Sequence, residues 1–231
     1  MVLIAITLIS LAVSGCLAAC LPTSAYSNNT NAKVTLAGDT ITITGTKTDP
    51  DHDQYSDKFD LKKGAYLMTW ENSNQSDYSF NALLEAKGGI ESLGYAKSKD
   101  SSVLVIGDFL TQPGLYKLDV MTGDTYTVTI TKPTTGTALP LTIDQVESGE
   151  VTKAIQLNPG ILKVNVHYKV AKKGWTSLYL YDVNTGEIIY TDSISVPPGL
   201  TRNNTTSIPV GGVYILKIDA PINETTVTIS Q

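Results

Sequence analysis

Leu162-Lys163-Val164-Asn165-Val166-His167-Tyr168-Lys169-Val170 alternates apolar and polar side chains without a break. Successive side chains of a β-strand point to opposite faces. As a strand, this run buries Leu162, Val164, Val166 and Tyr168 and leaves Lys163, Asn165, His167 and Lys169 outside. A helix would scatter the same apolar residues around its circumference. The period of two returns in Thr40-Ile41-Thr42-Ile43-Thr44 and from Tyr126 to Thr131, while no helical period survives two turns. Turn signals separate such runs: Gln112-Pro113-Gly114, Asn158-Pro159-Gly160, Asn184-Thr185-Gly186 and Pro197-Pro198-Gly199. The abundance of Thr, Val, Ile and Tyr suits strands. The chain reads as all-β.

That strand belongs to an internal repeat. Phe59-Asp60-Leu61-Lys62-Lys63-Gly64 aligns with Ile155-Gln156-Leu157-Asn158-Pro159-Gly160, which sets Tyr66, Met68 and Trp70 on Leu162, Val164 and Val166. Ser79-Phe80 aligns with Ser177-Leu178, and Gly114 to Val120 with Gly212 to Ile218. Both copies close on Thr-Val-Thr-Ile, at Thr127 and at Thr226. The expectation is two tandem jelly-roll-like β-sandwich domains, 33–131 and 141–231, joined by a linker, 132–140. One face of every strand would then be buried between two sheets.

The second copy, through Leu157, Gly160, Leu178-Tyr179-Leu180-Tyr181-Asp182, Gly186, Gly212-Val213-Tyr214-Ile215-Leu216 and Thr226-Val227-Thr228-Ile229, resembles the bacterial pre-peptidase C-terminal domain. The first copy resembles the same domain more loosely, and the resemblance implies a jelly-roll-like accessory module of secreted prokaryotic proteins. Members of that family carry acidic residues before the Leu-Tyr-Leu strand, where this chain has Trp175-Thr176-Ser177.

The first charged side chain is Lys33, and Val2 to Leu21 is almost wholly apolar or small. Val13-Ser14-Gly15-Cys16 resembles the lipobox of prokaryotic lipoproteins, with Cys16 as the lipidated residue; Leu17-Ala18-Ala19-Cys20 offers Cys20 as the alternative. An uncleaved anchor or an unlipidated secreted form are the other readings. Residues 1–20 are thus expected to be a signal or lipid anchor, and 21–32 a polar tether. Each reading places the folded part outside the cytoplasm, attached to a membrane in the lipoprotein case. No cysteine follows Cys20, so the sandwiches contain no disulfide, thiol nucleophile or thiolate metal site.

Net charge is −5 and no basic cluster occurs, which argues against a nucleic-acid partner. Only two histidines exist: His167 on the outward parity of its strand, and His52 in an acidic turn. No nucleophile elbow, phosphate loop or zinc-protease helix is present in the sequence. The chain is therefore expected to be non-enzymatic, with a binding or envelope-structural role. A hydrolase using an unrecognised carboxylate pair is an alternative.

Three groups of residues stand out. Asp49, Asp51, Asp53, Tyr55, Asp57 and Asp60 reproduce the spacing of a hard-cation loop, read either as a calcium site or as a solvated acidic turn. Trp175, Tyr179 and Tyr181 share parity on one strand. If Leu178 and Leu180 face the core they line the outside, either as a ligand stripe for polysaccharide or an envelope protein or as a surface covered by the other domain; with the opposite parity they are core themselves. Sequons at Asn28, Asn74, Asn203, Asn204 and Asn223 are glycan acceptors wherever the cell has the machinery.

Overall fold

Alternation carries over into the structure strand by strand. A computed structural model describes residues 32–46, 54–73, 80–86, 89–96, 99–107, 111–121, 125–145, 149–168, 174–196, 201–220 and 225–231. The first sandwich contains β1 (Lys33–Ala37), β2 (Thr40–Thr46), β3 (Gln54–Tyr55), β4 (Phe59–Leu61), β5 (Gly64–Asn72), β6 (Phe80–Ala86), β7 (Gly89–Ala96), β8 (Lys99–Ile106), β9 (Gly114–Met121) and β10 (Thr125–Thr131). The second contains β11 (Leu141–Gln145), β12 (Gly149–Leu157), β13 (Gly160–Tyr168), β14 (Gly174–Asp182), β15 (Ile188–Val196), β16 (Thr201–Ile208), β17 (Gly212–Ala220) and β18 (Thr225–Ser230).

The two sandwiches share one topology. One sheet runs β1-β2-β10-β5-β8 in the first and β11-β18-β13-β16 in the second. The other runs β3-β9-β6-β7, with β4 also on β9, and β12-β17-β14-β15. Strand for strand these orders correspond, β1 being an addition and β3 and β4 together standing for β12. Successive strands cross repeatedly between the sheets and all named pairs are antiparallel, which is the jelly-roll arrangement. The expected all-β fold with two sandwiches is present.

Each sandwich has its own core. Tyr66, Met68, Trp70, Leu118, Val128 and Ile130 fill the first, and Leu162, Val164, Val166, Leu178, Leu180, Leu216 and Ile229 the second. Each fully buried aliphatic side chain contributes about 1.5–3 kcal/mol of burial. A tyrosine device is repeated as well. Tyr116 Oη donates to the Gln112 carbonyl at 2.5 Å, and Tyr214 Oη to the Val210 carbonyl at 2.6 Å, each four residues upstream at the start of an equivalent strand.

In one place the structure shifts the alignment of the copies. Leu84 pairs with Leu118 as Leu180 pairs with Leu216, so β6 matches β14 at an offset of 96 residues. Leu83 therefore corresponds to Tyr179 and Glu85 to Tyr181, two residues away from the sequence-based alignment. The second copy holds its extra residues in the turn Val183–Glu187 after β14 instead.

That turn builds the contact between the domains. Ala65, Leu67 and Val103 on the outer face of the first sandwich pack against Tyr181, Val183, Val213 and Ile215 of the second. The Ala65 amide donates to the Val183 carbonyl at 3.0 Å. In the linker, Thr137 pairs with the free edge of β12: its amide reaches Ala154 O at 3.0 Å and its carbonyl accepts from Gln156 N at 2.9 Å. The corresponding outer positions of the first sandwich do not repeat this apolar surface. Lys117 and Glu85 stand where Ile215 and Tyr181 do, joined at 2.6 Å, and Lys117 Nζ lies 3.9 Å from the Tyr55 ring centroid. The repeat is apolar where the domains meet and ionic at the equivalent free position.

Candidate functional site

Parity puts one residue type on most of the outer face of β1-β2-β10-β5-β8. Register pairs Thr46 with Thr125, Thr44 with Thr127, Thr42 with Thr129 and Thr40 with Thr131, four rungs made only of threonine. Thr35 extends one rung onto β1, and Thr69 and Ser101 extend it onto β5 and β8. Thr40 and Thr131 share a hydroxyl hydrogen bond at 3.2 Å, Thr46 and Thr125 one at 3.3 Å. Threonine forms such rungs because its branched Cβ favours the extended backbone while its hydroxyl tolerates water.

Along β5 this face changes character between Leu67 and Thr69. The apolar half is covered by the second sandwich at the junction. The polar half is open and holds a depression of about 420 Å³ lined by Thr69, Trp70, Glu71, Asp100, Ser101, Thr127 and Thr129. Its volume falls in the range of small-ligand sites, roughly 300–1,000 Å³. The lining hydroxyls both donate and accept, and the carboxylates accept. Asp100 Oδ1 takes the Ser101 amide at 2.8 Å, which orients it. An arrangement of this kind suits a neutral, hydroxyl-rich ligand.

The aromatic positions of β14 are divided. Leu178 and Leu180 are fully buried, so Tyr179 and Tyr181 do face outward. Tyr181 is partly buried in the domain junction. Tyr179, half-buried, has its ring centroid 6.2 Å from that of Tyr181. Trp175, also on β14, stands opposite Ser195 of β15, with its side chain outside the described residues.

Of the acidic segment, Asp49, Asp51 and Asp53 lie outside the described residues. Tyr55 is in β3 opposite Asp119, Asp57 falls between β3 and β4, and Asp60 projects from β4 with Phe59 and Leu61 turned into the core. Among the described residues no group of three His, Cys, Asp or Glu side chains is placed to hold a metal ion. Cys16, Cys20, Asn28, Asn74 and Asn223 lie outside the described residues too.

Asn203 and Asn204 occupy opposite faces of β16. Asn203 is exposed and accepts from Asn165 Nδ2 at 2.5 Å. Asn204 faces the sandwich interior, where its Nδ2 donates to Asp192 and, at 3.3 Å, to Tyr190 Oη. Tyr190 Oη also donates to Asp192 Oδ2 at 3.3 Å, and Arg202 lies 3.9 Å from Asp192 Oδ1. This network closes the seam between edge strands β15 and β16, a use of inward polar groups that discourages edge pairing. Burial, and secondarily the Asp192 charge, push the Tyr190 phenol up to about 12.

The threonine rungs went unnoticed as a site in the sequence, although Thr40–Thr46 and Thr125–Thr131 carry the signal. Two neighbouring strands with threonine at every outward position make a continuous hydroxylated surface.

No protein-family model matches the chain, and no curated protein matches it in sequence. Several solved structures are similar at low level. The cycloalternan-forming enzyme of Listeria monocytogenes, solved with a pentasaccharide substrate, is 10% identical over 86% of this chain and 20% of its own, with a TM-score of 0.25. The chain thus spans one fifth of that enzyme. A conserved Pseudomonas aeruginosa protein of unknown function is 10% identical over 84% of this chain and 89% of its own, with a TM-score of 0.24. The CBM22 tandem domain of Paenibacillus barcinonensis Xyn10C is 8% identical over 86% and 90% of the two chains, with a TM-score of 0.25. Similarity at this level names no family and transfers no activity.

Proposed function

We propose that this chain is a non-catalytic binding protein of the cell envelope, held at a membrane by lipid on Cys16 or Cys20, with a neutral polysaccharide as ligand. The observation that carries the ligand class is the open depression between Thr127, Thr129, Thr69 and Ser101, with Glu71 at its edge. Hydroxyl-rich polymers exchange water hydrogen bonds for protein ones at little net cost, and binding accrues from many modest contacts. Export rests on the uncharged apolar run before Lys33. Calcium at Asp49–Asp60 and glycans on exposed asparagines belong to the same proposal, as does the kinship with pre-peptidase C-terminal domains.

Affinity electrophoresis of the detergent-purified full chain through gels containing starch, xylan, β-glucan or chitin tests the reading. Retardation by at least one polymer, weakened in Thr69→Trp and kept in Tyr179→Ala, is the expected result. Passage unretarded through all four refutes it. Thr69 is exposed on a strand, so a bulky β-compatible side chain there fills the depression and leaves the core intact. A second reading rests on the Glu71 carboxylate in this depression. Release of reducing sugar by the wild type and not by Glu71→Gln would make the protein a hydrolase.

A further inference from the structure

The second sandwich presents the equivalent sheet face, and we infer that it is a second site for the same class of ligand, a neutral glycan chain lying across the strands. This rests on the polysaccharide reading of the first face. Register fixes the rows in each sandwich, and the Thr-Val-Thr-Ile that closes both copies sets which row matches which. Thr142, Thr228, Asn165 and Asn203 form one row across β11, β18, β13 and β16, in the places of Thr42, Thr129, Thr69 and Ser101. Asp144, Thr226, His167 and Thr201 form the next, in the places of Thr44, Thr127, Glu71 and Lys99.

Side chains within each row bond to one another across the strands. Thr142 and Thr228 share a hydrogen bond at 3.4 Å, and Asn165 donates to Asn203 at 2.5 Å. Thr226 donates to Asp144 at 2.7 Å, and His167 Nδ1 shares a hydrogen bond with Thr201 at 3.0 Å. These bonds hold the polar heads in fixed positions on half-exposed to exposed side chains, so less rotamer freedom is lost when a ligand docks. At about 4.8 Å per strand, each row spans roughly 14 Å.

The chemistry matches the first face in kind. Hydroxyl and amide groups donate and accept, and the two rows contain a single carboxylate, Asp144, and no lysine or arginine. A polyanion finds no cation in these rows, and a polycation finds one carboxylate already accepting from Thr226. A neutral, hydroxylated chain fits. The carboxylate has moved from a central strand, Glu71, to the edge strand, and an imidazole stands where Glu71 does. The second face therefore differs from the first in preference within the class. Because the domain junction ties the two sandwiches together, a long polymer engages both faces and binds more tightly than its fragments, by up to about 10²–10⁴-fold where the geometry permits simultaneous contact.

The test uses the detergent-solubilised full chain, ¹⁵N-labelled at histidine, titrated with cello-, xylo-, malto- and laminari-hexaose. His52→Asn identifies the His167 imidazole signals. Movement of those signals with a hexaose that still binds Thr69→Trp, and loss of the movement in Asn203→Trp, is the expected result. If wild type binds a hexaose but Thr69→Trp abolishes all binding and His167 never moves, the second site is overturned while the first stands. If His167 moves and Thr69→Trp changes nothing else, the second face stands and the first falls. No binding by wild type overturns both.

Discussion

Alanine at Gly64 and at Gly160 provides a matched pair that measures the domain junction. Both glycines open equivalent strands with φ near +140°, at +140° and +142°, a region that side-chain-bearing residues rarely adopt. Alanine at either position carries about 1–3 kcal/mol of backbone strain. Around Gly160 an added Cβ meets no atom within 4 Å. At Gly64 it would press on the Val183 carbonyl oxygen and approach Lys132 Nζ to 2.7 Å. Lysine swings aside at little cost. The Val183 carbonyl moves only with its turn, which breaks its 3.0 Å bond from the Ala65 amide. That bond contributes about 1 kcal/mol. Partial exposure of Ala65, Val183 and Ile215 adds two methylene equivalents at about 0.8 kcal/mol each. Gly64→Ala should therefore cost about 2–3 kcal/mol more than Gly160→Ala. For domains of this size that is a further fall in Tm of roughly 10–20 °C. Differential scanning calorimetry reads it, and Gly64→Ala should also resolve separate transitions for the two sandwiches. Equal depressions for the two variants would refute the junction as described.

The repeated tyrosine device predicts that Tyr116→Phe and Tyr214→Phe each lose about 1 kcal/mol, which urea denaturation checks. Burial raises the phenols of Tyr66, Tyr126, Tyr190 and Tyr214. Folding therefore favours their neutral forms: the associated stability is complete below pH 10, the ordinary tyrosine value, and is lost as pH rises through the folded values, about 12 for Tyr190. Denaturation midpoints should fall above pH 10, and less steeply in Tyr190→Phe. Calcium at the acidic segment predicts a higher Tm in calcium than in chelator, abolished in Asp51→Asn/Asp53→Asn. Lipid on the chain should hold it in the detergent phase of a Triton X-114 partition, and Cys16→Ser, or Cys20→Ser if that is the modified residue, should move it to the aqueous phase.

Much of the fold was legible because burial writes itself into strands with a period of two. The inward residues Leu162, Val164 and Val166, and their counterparts Tyr66, Met68 and Trp70, are all buried. The alignment of β6 with β14 failed for the same reason it looked sound. A slip of two residues keeps every side chain on its face, so hydrophobic pattern cannot detect it. Cross-strand partners such as Leu84 with Leu118 can. The candidate site was hidden differently. Outward parity marks Thr69, Leu67 and Tyr181 alike as surface, and only the docking of one sandwich on the other covers Leu67 and Tyr181 and leaves Thr69 open. Contacts between domains leave no periodic trace in either copy.

Threonine-methyl NMR on the full chain, with a polysaccharide fragment at saturation, reads ligand contact with the depression residue by residue. A ligand in the depression shifts Thr69, Thr127 and Thr129, which line it. Shifts confined to Thr191, opposite Tyr179 on the second sandwich, or no shift with any fragment, would overturn the depression as the ligand site.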